Sequence, residues 1–132
     1  MVKEEIKTDK SLKPVGPYSQ GVRGGDFVFV SGQVGVDPRT GETPESAAEQ
    51  TRLALESVRA ILEASGATMD DVVKVTVFLK DMGEYEEMNK VYSTFFKTPF
   101  PTRSTVGIKS LARDYWRVEI EAIACLSGSP RS

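Results

Sequence analysis

The stretch RVEIEAIAC, residues 117–125, decides the architecture. Val118, Ile120, Ala122 and Ala124 alternate with Glu119, Glu121, Ile123 and Cys125, so a strand of this sequence presents one set on each face. The first face is wholly apolar and needs a covering layer. The second mixes carboxylates with apolar groups. Outward from it, Val73, Val75, Val77 and Leu79 alternate with Lys74, Thr76, Phe78 and Lys80 in a second strand rich in β-branched residues. Arg103 to Ile108 is a third. Upstream, an extended run, the turn Gly24-Gly25-Asp26 and Phe27-Val28-Phe29-Val30 read as a hairpin whose turn needs positive φ.

The covering layer is equally legible. Ala54, Leu55, Val58, Ile61 and Leu62 recur at helical spacing, giving a helix over roughly 45–65 that starts at Thr43-Pro44-Glu45 and stops at Gly66. Tyr85, Met88, Val91, Tyr92, Phe95 and Phe96 give a second helix, ending before Pro99 and Pro101. Between these elements, DPRTG at 37–41 is a turn and KPVGPYSQG at 13–21 a rigid irregular stretch. The expectation is an α+β fold: one domain over 1–132, a mixed sheet of about six strands with both helices on one face, and a frayed tail at 126–132. A second sheet face of apolar and ionisable groups is of the kind completed by another subunit, so a homo-oligomer is expected.

Composition narrows the chemistry. The chain has 132 residues, 39% of them apolar, a formal charge of −2 and no basic stripe, which argues against a nucleic acid backbone or an anionic membrane as partner. There is no span-length apolar run and no apolar segment behind the charged start MVKEEIKTDKS, so a cytoplasmic location is expected. Without histidine, imidazole-dependent triads and metal sites cannot be built, and one cysteine makes no thiolate cluster, so no metal is expected. Cys125 reads as a small hydrophobe rather than a nucleophile. Carboxylates, arginine, lysine, hydroxyls and backbone dipoles remain.

Among these, Arg103 stands out in FPTRSTV (100–106), its planar fork suited either to two-point capture of a carboxylate or to an ion pair with Glu119 or Glu121. Glu119 and Glu121 share a strand face, where a desolvated carboxylate fits a general base or water-orienting group and a solvated one fits a strand edge. Tyr18 is a hydrogen-bonding wall or a packed loop aromatic. Ser31-Gly32-Gln33 ends the early hairpin, and Gly32 admits either a close backbone approach to a ligand or a bulge. Asn89, among apolar residues on the second helix, calls for a polar partner.

Five islands, GPYSQG (16–21), SGQ (31–33), NKVYSTFF (89–96), PTRSTV (101–106) and VEIEAIA (118–124), stand in an order and spacing that resembles the RidA/YjgF family of reactive-intermediate deaminases. The resemblance implies a fold similar to bacterial chorismate mutase and a homotrimer with ligand clefts between subunits. It also implies hydrolysis of 2-imino acids such as 2-iminopropanoate and 2-iminobutanoate to 2-oxo acids and ammonia, with no cofactor. By the same resemblance Arg103 binds the substrate carboxylate and Glu119 serves the hydrolytic water. Tyr18, Ser31, Gly32 and Asn89 line the cleft, with Thr105 beside them. Thr105 stands where many members carry cysteine, in RSCV, which removes any oxidisable sulfur there. The segment from Arg103 to Glu119 is also about one residue longer than is typical of the family. Two other roles compete: a ribonuclease or translation inhibitor, and a non-catalytic binder of 2-oxo acids.

Overall fold

The computed structural model describes residues 2–126. They form a six-stranded sheet in the order β1-β2-β3-β6-β4-β5, with β1 at Lys3–Ile6, β2 at Gly21–Gly24, β3 at Phe27–Val34, β4 at Val72–Leu79, β5 at Thr102–Gly107 and β6 at Val118–Cys125. Two helices, α1 at Ala47–Ala64 and α2 at Tyr85–Tyr92, pack together and on one face. All neighbours are antiparallel except β4 and β5, which run parallel because α2 carries the chain back across the sheet between them. Val118, Ile120, Ala122 and Ala124 of β6 are buried with Val28, Val75, Val77, Leu79, Leu55, Ile61, Leu62 and Met88 in one core beneath the helices. The apolar set on the last strand is thus the floor of that core, and β6 lies in mid-sheet.

Several local expectations needed correction. Strand β1 has no sequence signal, since KEEI carries no alternating apolar pattern; it is held by pairing with β2. The α1 cap is Ser46, whose Oγ accepts from the Glu49 N–H at 3.0 Å, and not the Thr43-Pro44-Glu45 segment. The carbonyls of Pro44 and Glu45 are engaged instead by Gln50 and Arg117. Helix α2 stops at Tyr92, short of Phe96, because the Ser93 and Thr94 hydroxyls bond back to the carbonyls of Lys90 and Val91 and turn the chain early. In β4 the register slips between Val72 and Lys74, so Val72 rather than Val73 lies in the core and Val73 is 44% exposed. The hairpin turn is as expected, with Gly25 at φ 61°. Of the tail expected to fray, Leu126 donates its N–H to Asp26 O at 2.7 Å and packs on the core, and 127–132 lie outside the described residues.

Three buried glutamines fasten the irregular segments to this frame. Gln20 accepts from Thr8 N and donates to the carbonyls of Thr8, Ser11 and Leu12, fixing the stretch before β2. Gln33 accepts from the Ser11 hydroxyl at 2.8 Å. Gln50, on α1, donates to Pro44 O at 2.8 Å and Tyr115 O at 2.9 Å and accepts from Arg117 N at 2.8 Å, which ties the segment before β6 to the helix. Among the described residues no helix is long and apolar enough to cross a membrane.

Candidate active site

The candidate residues fall into two clusters. Arg103 lies opposite Val75 and Thr105 opposite Val77 in the parallel ladder, and Val75 and Val77 point into the core, so Arg103 and Thr105 project on the helix side of β5. There α2 meets the guanidinium: Arg103 Nη1 donates to Asn89 Oδ1 at 2.7 Å and Nη2 donates to the Tyr85 hydroxyl at 2.8 Å. The guanidinium carbon also sits 4.5 Å from the centre of the Tyr92 ring and 5.6 Å from that of Tyr85. Residues 85, 89 and 92 are one helical face, so one stripe of α2 holds the arginine.

No described carboxylate pairs with Arg103, so the ion pair with Glu119 or Glu121 does not exist within the chain. Its partners are neutral and several N–H donors remain uncommitted. Burial raises the Tyr92 phenol above its ordinary pKa, and the charge of Arg103 and its hydrogen bonding to the phenol oppose the rise. Arg103 lies over the Tyr92 ring and within interacting reach of its buried hydroxyl, without a hydrogen bond of good geometry between them. The oxygen of Thr105 is likewise buried and unpartnered.

The second cluster is on the open face. Glu119 lies opposite Val34 and Phe78, and Glu121 opposite Thr76, on the side away from the helices. In β3 the register slips between Val30 and Gln33, so Ser31 and Gly32 form a bulge within the strand rather than the end of the hairpin. Gly32 abuts the Glu119 side chain so closely that a Cβ there would stand 2.7 Å from Cδ and 2.9 Å from Cγ, nearer still to Oε2. Glycine is what lets the carboxylate lie against the bulge. Ser31 Oγ donates to Ser19 O at 2.6 Å, which brings the half-exposed Tyr18 alongside; the Val15 N–H points at its hydroxyl, 3.4 Å away.

The two glutamates differ in setting. Glu119 is partly buried, and burial first, then the charge of Glu121, raises its carboxyl above the ordinary value. Glu121 is exposed and lines a shallow cavity of about 260 Å³ with Ser19, Ser31, Phe29 and Ile123. Larger cavities, about 630 Å³ beside the N-terminal arm and about 540 Å³ beside residues 114–117, touch neither cluster. The desolvated and uncommitted groups, Arg103 and Glu119, lie at the clusters and not in the largest hollows.

The chain does not bring all the candidates together. Arg103, Asn89 and Thr105 stand on one side of the sheet, and Glu119, Ser31 and Gly32 on the other. Tyr85 and Tyr92 complete the arginine's cradle but read in the sequence as core positions only. Their spacing from Asn89, four residues before and three after, was the available signal.

A family model described as Endoribonuclease L-PSP matches residues 8–126. A RutC family protein of Pyrococcus abyssi is 48% identical over 125 residues, covering 94% of this chain and 98% of that one. The 2-iminobutanoate/2-iminopropanoate deaminase of Escherichia coli is 43% identical over 122 residues, covering 90% and 94%. The crystal structure of E. coli TdcF with bound serine superposes with a TM-score of 0.90 at 43% identity, covering 94% and 99%. Members of this group thus include a named imine deaminase and a protein that binds a small amino acid. With the sheet order, the arginine cradle and the glutamate bulge in place, the matches make this chain a member of the RidA/YjgF family.

Proposed function

We propose that the protein hydrolyses 2-imino acids to 2-oxo acids and ammonia, and that its site forms where the Arg103 cluster of one copy meets the Glu119 cluster of another in a homotrimer. The observation that carries this reading is the partly buried Arg103, held by two neutral groups with no carboxylate of its own. A cation so placed suits a ligand carboxylate, gripped through its remaining donors. The imine carbon is already electrophilic, more so once its nitrogen is protonated, so no nucleophilic side chain is needed. Glu119 accepts a proton from water as the C–O bond forms, and the imine nitrogen becomes an amine. The proton returns to that nitrogen, the C–N bond breaks and ammonia leaves, and Glu119 takes the hydroxyl proton as the C=O forms. Backbone and hydroxyl groups around Tyr18, Ser31 and Gly32 hold the tetrahedral intermediate.

Placement on opposite faces favours a shared site, since one chain cannot direct both groups at one ligand. An endoribonuclease role, the sense of the family description, fits less well: Glu119 and Glu121 on the open face repel phosphates, and the formal charge is −2. The test co-assembles inactive Arg103→Ala and Glu119→Gln chains. In a random cyclic assembly about one cleft in four joins a native Arg103 to a native Glu119, so roughly a quarter of wild-type activity should return. An inert mixture, with each variant correctly assembled, overturns the shared site. A wild-type protein that binds 2-oxo acids without accelerating imine hydrolysis overturns the deaminase in favour of a binder.

A further inference from the structure

Arg103 makes two hydrogen bonds of good geometry, one from each terminal nitrogen: Nη1 to Asn89 Oδ1 at 2.7 Å and Nη2 to the Tyr85 hydroxyl at 2.8 Å. Of the guanidinium's N–H donors, that leaves the one on Nε and one on each terminal nitrogen. Two-point capture of a carboxylate needs two of these side by side, so the guanidinium plane has to be held at a fixed angle. Asn89 alone does not hold it, because a group bonded at one nitrogen pivots about that bond. The Tyr92 ring, 4.5 Å from the guanidinium carbon, attracts the charge without aligning an N–H. The Tyr85 hydroxyl supplies the second fixed point, on the other nitrogen. Tyr85 is itself anchored: it opens α2, its ring packs against the core, and its neighbour Glu84 pairs with Arg117 Nη1 at 2.8 Å.

We infer that Tyr85 is a positioning residue whose hydroxyl locks the plane of the Arg103 fork and so makes the site select a free carboxylate over its amide. The inference rests on the deaminase reading in taking Arg103 as the carboxylate anchor. Tyr85 acts through the arginine and not on the ligand. An oxygen taken up by the second N–H of Nη2 stands roughly 120° around that nitrogen from the Tyr85 hydroxyl, so the two oxygens are about 5 Å apart, beyond hydrogen-bonding range. Packing does not explain the hydroxyl. Phenylalanine would fill the same place and keep the ring that faces the guanidinium at 5.6 Å, yet it would free Nη2 to swing. A carboxamide presents one acceptor oxygen beside an amino group that faces the fork donor to donor, so it gains little from a locked plane.

Two stable probes test this, 2-oxobutanoate and 2-oxobutanamide, titrated by calorimetry into the assembled protein. The wild type should bind the acid at least about tenfold more tightly than the amide. Tyr85→Phe should weaken the acid about tenfold and leave the amide within about twofold. With 2-iminobutanoate, generated in situ from 2-aminobutanoate by an amino-acid oxidase, KM should rise by a similar factor while kcat changes little. In an Arg103→Lys background, which has no fork to orient, Tyr85→Phe should change acid binding by less than about twofold, whereas a purely structural role costs the same in both backgrounds. Acid and amide weakened alike, an equal loss in the lysine background, acid binding unchanged in Tyr85→Phe, failure of that variant to assemble, or a wild type that does not tell acid from amide each overturns the inference. If the wild type binds 2-oxobutanoate but does not hydrolyse the imine, the deaminase reading falls and the binding ratios still decide the role of Tyr85. If it hydrolyses the imine without binding the oxo acid, the role of Tyr85 falls alone.

Discussion

Replacing Gly32 with alanine is a sharp perturbation of the open-face cluster. The new Cβ would lie 2.7 Å from Glu119 Cδ, about 0.7 Å inside ordinary contact at 3.4 Å, and nearer still to Oε2. Either the carboxylate rotates away or the bulge shifts, and both move the proton acceptor by roughly 1 Å relative to a bound water, a misplacement on the order of a hundredfold in rate. Overpacking costs about 1–3 kcal/mol of stability, which a partly buried side chain near the surface relieves in part. The assay is kcat for oxo-acid release from 2-iminobutanoate beside a thermal melt and a sedimentation measurement. The expected result is kcat lower by about two orders of magnitude with KM little changed, since Arg103 still grips the carboxylate. A folded, assembled Gly32→Ala protein with wild-type kcat would refute the role given to Glu119.

Other substitutions separate the remaining parts. Arg103→Lys keeps the charge and loses the planar fork, so kcat/KM should fall about 10- to 100-fold, read from initial rates. For Glu119 the folded pKa is raised, so its stabilising contribution is complete below the unfolded carboxylate pKa and is lost as pH rises through the folded value. Glu119→Gln should therefore abolish turnover yet melt above wild type at about pH 7, the difference vanishing near pH 4; a lower melting temperature at pH 7 contradicts the assignment. The acid limb of kcat/KM should stand above the ordinary carboxylate value and move down in Glu121→Gln, which removes the second cause of the shift but not the burial. Gln50→Leu removes three hydrogen bonds and should cost about 3 kcal/mol in a denaturant titration.

Periodicity made the frame legible wherever one face is buried against helices, as in β4, β6 and α1. It failed where pairing replaces pattern, as in β1, and where a bulge shifts the phase, as at Val73. The glutamine clamps were hidden for another reason. Gln50 binds groups 65 and 67 residues away, and nothing local signals such a partner. For the site, residue types and the family resemblance singled out Arg103 and Glu119, but their faces depend on register between strands, which the sequence of either strand leaves open. Register with Val75 sends Arg103 toward α2, and register with Phe78 sends Glu119 the other way.

The position of β6 also constrains how the protein is made. It bonds to both β3 and β4, which do not pair with each other, yet it follows them both in the chain. On the ribosome, the hairpin half and the β4–α2–β5 half can form early, but each carries an open strand edge facing a gap that only residues 118–125 fill. Completion of the sheet waits until residues 118–125 have been made, and a chain cut before Val118 is left as two sticky halves rather than a smaller working protein.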